Sequence, residues 1–150
     1  YDWIMVDGYR NEIISKLLEN NSITTTQQCT YNGEKIPFFR GNDYIILQRE
    51  ILIINEKIIF TYQFNNDFLQ IGIKETEQMN EKFSGIQFLA PVDNDYGEKS
   101  DGWICRKKYN YQEEVKDLND ISVFLSKIES EVFGDSNSLF SKIKQTNIKS

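Results

Sequence analysis

Histidine does not occur once in these 150 residues. Its absence removes the commonest general base near neutral pH, the usual nitrogen ligand of zinc and every Ser-His or Cys-His nucleophile arrangement. Any catalysis would rest on carboxylates, lysine, tyrosine or a hard cation held by carboxylates. Cysteine is nearly as scarce. Cys29 and Cys105 stand far apart with no C-x-x-C, the pattern of small buried hydrophobes rather than of a disulfide framework. The only prolines are Pro37 and Pro91, and the eight glycines are dispersed, so no glycine-rich phosphate loop is formed. Long apolar runs are missing too. Gln48, Arg49, Glu50, Asn55, Glu56 and Lys57 break the most apolar stretch well short of the roughly 20 residues that cross a bilayer. There is no charged-then-apolar leader pattern. The expectation is a cytoplasmic protein with no cofactor and no membrane contact. The chain opens at Tyr1 rather than Met, as expected of a processed chain or a piece of a longer polypeptide.

Positive charge is outnumbered as well. With 17 Lys and Arg against 23 Asp and Glu, the net charge is −6 and the pI about 4.8. That balance favours solubility and disfavours broad contact with nucleic-acid phosphates. The length suits one domain with a real core. The densest apolar and β-branched material lies at 43–74. There Phe60, Tyr62 and Phe64 alternate with Thr61 and Gln63, and Leu69, Ile71 and Ile73 with Gln70 and Lys74. Both are half-buried strands by their period of two. Asn65-Asn66-Asp67 is a turn by composition, and Asn55-Glu56-Lys57 reads the same way. Residues 51–54, apolar throughout, predict a strand covered on both faces.

Helices flank this meander. Tyr9, Ile13 and Leu17 at four-residue steps, with Ile14 and Leu18 alongside, predict a helix over 8–20 with Asp7 as its N-cap and Arg10 and Asn11 on the solvent side. Trp3-Ile4-Met5-Val6 reads as the end of an earlier strand. Asn32-Gly33 predicts a type I′ hairpin with arms 25–31 and 34–40. Met79 and Phe83 indicate a short helix, 86–89 and 103–109 two further strands, and 93–102 a polar loop. Ile121, Phe124, Leu125, Ile128 and Val132 make the clearest helix, 120–133, opened by Asn119 or Asp120 and stopped at Gly134. A short helical piece around Leu139, Phe140 and Ile143 follows. The whole is a single α+β domain: an antiparallel sheet with helices packed on one face, chiefly the N-terminal helix and the long C-terminal one.

Four motifs invite chemistry. Asp93, Asp95 and Asp101 sit at spacings from which carboxylates can converge on a cation, but an EF-hand needs Gly sixth and Glu twelfth. Here Gly97 is fifth and Ile104 twelfth, so a solvated turn is expected. Trp103, Arg106, Lys107, Lys108 and Tyr109 mix cations with aromatics, a pattern that stacks bases while neutralising phosphates. Against that, a strand there packs Trp103 and Cys105 inward and wets its cations. Glu114-Val115-Lys116, with Asp101 upstream, has the E-x-K spacing of metal-dependent nucleases but lies in polar chain with little strand character. It reads as the charged lead-in to a helix. Ser141-Lys142-Ile143-Lys144 matches Ser-x-x-Lys without companion motifs.

The run Phe68-Leu69-Gln70-Ile71-Gly72-Ile73, the Trp103-Ile104 strand and Leu118-Asn119-Asp120 opening a long helix give a layout that resembles the C-terminal region of some bacterial PD-(D/E)XK nuclease-superfamily proteins of phage-defence settings. The likeness covers about 30–150 and rests on patterning. It implies an accessory domain, because that superfamily's catalytic motifs lie upstream of such a region. The functional expectation is a non-catalytic interaction domain whose exposed sheet face or edge contacts a protein partner. The alternatives are a carboxylate-metal nuclease and a stand-alone acidic inhibitor or immunity protein that masks a basic partner.

Overall fold

The computed structural model describes residues 2–25, 29–31, 34–36, 45–53, 55–65, 68–83 and 102–144. Its centre is an antiparallel sheet in the order β1 (Ile23–Thr24), β4 (Ile45–Ile53), β5 (Glu56–Phe64), β6 (Leu69–Lys74) and β7 (Trp103–Tyr109). A separate hairpin pairs β2 (Cys29–Tyr31) with β3 (Glu34–Ile36), and its Tyr31–Glu34 register is the one an Asn-Gly turn sets. The helices are α1 (Asp2–Leu18), α2 (Glu77–Phe83), α3 (Tyr111–Glu114), α4 (Asp120–Phe133) and α5 (Leu139–Lys144). The α+β architecture is therefore as the patterning predicts.

Cross-strand register sorts the side chains. Ile45, Leu47, Arg49 and Ile51 of β4 stand opposite Phe64, Tyr62, Phe60 and Ile58 of β5, so these share one face. Leu69, Ile71 and Ile73 continue it on β6, and Tyr109, Lys107 and Cys105 on β7. The helices cover this face. Phe124 of α4 meets the Tyr109 ring edge-on at 5.9 Å, Phe133 meets Phe60 at 5.0 Å, and Tyr111 of α3 packs against Phe64. Ile13, Ile14 and Leu17 of α1, Met79 and Phe83 of α2, and Leu139 and Ile143 of α5 join the same core. Helix α4 has the predicted bounds. Its N-cap Asn119 makes no side-chain capping bond, and the Asp120 carboxylate instead accepts from the Lys116 and Asp117 amides in the preceding turn.

Several expectations are corrected. Helix α1 begins at Asp2, so Trp3-Ile4-Met5-Val6 is helical and Asp7 lies within the helix rather than capping it. A four-residue apolar run carries too little periodicity to separate strand from helix. Arg10 and Asn11 are buried rather than solvent-facing, because α1 is enclosed on more than its apolar stripe. Strand β5 starts at Glu56, so the β4–β5 turn falls one residue earlier than composition indicates, with Asn55 in the left-handed region at φ 65°. Residues 51–53 are not covered on both faces, since Leu52 is 65 % exposed. Ser141 of the Ser-x-x-Lys match belongs to α5 and is buried.

The second face of the sheet is polar, as expected, yet not open across its width. Thr61 and Gln70 are buried there, together with Arg106. Exposure on that face is concentrated toward β4, at Gln48, Glu50, Leu52 and Lys57.

Candidate interaction site

The aromatic-basic strand β7 was the first place to seek a ligand surface, and packing consumes it. Lys107 and Tyr109 lie on the helix-covered face. Tyr109 Oη donates to Glu131 Oε1 at 2.9 Å, and Lys107 Nζ lies 3.8 Å from the same carboxylate. On the other face Arg106 is buried and donates from Nη1 to Gln70 Oε1 at 3.0 Å. Lys108 Nζ sits 3.6 Å from the centroid of the Phe68 ring, a cation–π contact. Trp103 is buried, as the sequence reading has it, but a bulge changes what it packs against. Cys105 pairs with Ile73 but Trp103 pairs with Lys74, so β7 holds an extra residue at Ile104. Such a bulge re-aims the side chains beyond it. Ile104 joins the core, while Trp103 is buried outside that cluster under the Lys74 ammonium, 5.3 Å from its ring.

The E-x-K tripeptide is likewise structural. Glu114 ends α3 and holds Lys127 of α4 at 2.7 Å, Val115 is buried, and Lys116 is exposed. The Glu114 carboxylate raises the Lys127 ammonium above the usual lysine range. Among the described residues no cluster of His, Cys, Asp or Glu is placed to hold a metal ion. Asp93, Asp95 and Asp101 lie outside the described residues.

A second polar cluster ties the sheet to α4. Arg49 Nη1 donates to Glu129 Oε1 at 2.6 Å and to Tyr62 Oη at 3.3 Å, and its guanidinium lies 4.1 Å from the Phe133 centroid. Burial pushes the Tyr62 phenol up to about 12, against the lowering effect of Arg49. The fold therefore favours the neutral phenol. Its contribution is fully present below the unfolded value near pH 10 and is lost as pH rises through about 12. Alkaline unfolding should thus steepen between those values, by on the order of 2–3 kcal/mol. Denaturant melts of wild type and Tyr62→Phe across that window check this. A slope shared by both proteins would assign the alkaline loss to other groups.

On the β1 side of the sheet, the outer margin of β4 is only partly paired among the described residues. The Thr25 hydroxyl donates to the Ile46 carbonyl across this margin at 2.9 Å, so the backbone groups of Ile46 point away from β5. In a strand the backbone groups of alternate residues point the same way, so those of Gln48, Glu50 and Leu52 do too. Strand β1 meets only Gln48 and Arg49, then leaves the margin at a turn where the Ser22 amide donates to Asn20 Oδ1. Among the described residues no group bonds the edge-facing N–H and C=O of Glu50 or Leu52. A cleft of about 400 Å³ opens beside this margin, lined by Asn21, Ser22, Thr24, Gln48, Glu50 and Ile59. Sequence reasoning missed the site because the signal is not local. Residues 51–54 read as a strand covered on both faces, and the two-residue length of β1 leaves the edge-facing backbone groups of Glu50 and Leu52 unpaired among the described residues.

Comparison with protein-family models, with curated proteins and with solved structures gives no match.

Proposed function

We propose that the chain is a non-catalytic interaction domain that contacts a protein partner through the margin of its sheet at β4. The observation that carries this is the edge at Glu50 and Leu52, unpaired among the described residues, with Leu52 exposed beside it. Natural edges are blunted by proline, inward charges, bulges or covering chain, because unpaired N–H and C=O groups template a further strand. Among the described residues Leu52 is given none of these devices. An extended segment laid there gains main-chain hydrogen bonds and covers an apolar side chain, the mode of strand addition. Placement beside a nuclease core in a bacterial defence setting belongs to the same proposal and rests on the likeness of layout alone.

The nucleic-acid reading would place binding at β7, and the interaction reading predicts none there. Single-strand and duplex oligonucleotides titrated at low salt should show no saturable binding, and Arg106→Ala should lower stability. Salt-sensitive oligonucleotide binding that weakens in Lys107→Ala plus Lys108→Ala would move the function to β7. Hydrogen exchange tests the edge itself. The amides of Glu50 and Leu52 should exchange fast, while those of Arg49 and Ile51, turned toward β5, are protected. Equal protection of all four would remove the edge from consideration.

A further inference from the structure

We propose that the β4 margin selects an extended segment carrying lysine or arginine opposite Leu52, with the basic head group seated against Glu50 in the adjoining cleft. This rests on the edge-pairing reading and adds the chemistry of the occupant. A strand added at Leu52 presents the side chain of the opposing residue on the same face as Leu52 and Glu50. Glu50 is its diagonal neighbour, within reach of a long side chain.

The turn at Asn20 and Ser22 stands beside Glu50 and stops an added backbone from running on. A long side chain can cross that gap where a backbone cannot. The cleft suits a cation. Among the described residues Glu50 is its only acidic or basic lining group, Asn21, Ser22, Thr24 and Gln48 offer neutral oxygens, and Ile59 gives an apolar wall for an aliphatic stem. The present partner of Glu50 is Lys57 at 3.7 Å, with both side chains more than half exposed. Such a pair is weak and readily exchanged. The net charge of −6 draws basic segments toward the surface.

A second copy of the chain fits less well. Antiparallel pairing of two β4 margins centred on Ile51 or Leu52 sets residue 53 or 55 of one copy opposite Arg49 of the other. Ile23 already holds that place.

The test uses the whole chain and short blocked peptides alternating Thr and Val around one central position, filled by Lys, norleucine or Glu. Binding is read from amide shifts at Glu50 and Leu52. The Lys peptide should bind about two- to fivefold tighter than the norleucine peptide, the scale of an exposed ion pair. Glu50→Gln should abolish that difference, and Glu50→Lys should turn the preference to the Glu peptide. Leu52→Pro removes an N–H that faces the margin rather than β5, so it should abolish binding of all three peptides. Should Leu52→Pro fail to fold, Leu52→Lys, which repels the basic peptide, replaces it.

Equal binding of the Lys and norleucine peptides would overturn the charge selection while leaving edge pairing in place. No shift with any peptide would overturn both. A dimer in sedimentation that Leu52→Lys dissolves would assign the margin to a second copy, against the proposal.

Discussion

Gly72→Ala should cost about 3 kcal/mol of stability, at the upper end of what one inserted methyl exacts from a packed interior. Gly72 stands on β6 opposite Arg106 of β7, next to the bulge at Ile104. A Cβ built there meets the Cys105 carbonyl oxygen in hard overlap and lies 2.6 Å from the Arg106 Cα. Both obstacles are backbone, so no rotamer change relieves them. The strands would have to part, breaking the ladder that seats Arg106 against Gln70. The measurement is urea unfolding of wild type and variant. A midpoint shift corresponding to less than about 1 kcal/mol would show that β7 yields at the bulge and that this approach is loose.

Phe60→Ala should destabilise by about 4 kcal/mol, within the usual span for emptying a buried aromatic site. Phe60 has no solvent exposure and stands between Arg49 on β4 and the Phe133 ring on α4. Removing it leaves a cavity at the point where the sheet and α4 meet. The effect should extend to the Arg49–Glu129 pair, whose guanidinium is also stacked on Phe133. Phe133→Ala, at a half-buried ring, should cost less. Leu52→Ala should fall within about 0.5 kcal/mol of wild type, the range of ordinary surface changes. A loss at Leu52 comparable to that at Phe60 would mean that the margin is structural and not a contact surface.

The two variants bear on function by contrast. Changes inside the helix-covered face alter stability, and changes at Leu52 or Glu50 should alter binding alone. The same contrast separates the β7 cations from a ligand surface. Arg106, Lys107 and Lys108 engage Gln70, Glu131 and the Phe68 ring in turn, so their loss is first a folding defect.

Much of this molecule was legible in the chain. Ile121, Phe124, Ile128 and Val132 repeat at helical spacing and are all buried in α4. Phe60, Tyr62 and Phe64 alternate and share the covered face. Asn32-Gly33 places the β2–β3 register at Tyr31 and Glu34. In each case the information is a local period or a turn residue, and burying an apolar stripe leaves little choice of element.

Sequence alone determined an α+β domain, the faces of its main strands, its long helix and the exclusion of histidine-based chemistry. Tertiary structure alone decided the rest. It set the buried Trp103 outside the main core cluster, because one extra residue at Ile104 breaks the period-two reading of β7. It buried Arg10, Thr61, Gln70 and Arg106, because burial depends on what lies opposite a residue and not on its polarity. It exposed Leu52 within the most apolar run, because that side chain stands on the face opposite the helices, and it left the neighbouring backbone edge unpaired among the described residues, because β1 pairs with β4 over two residues only. Which edge stays unpaired is a property of strand lengths brought together across the fold, and no stretch of sequence carries it.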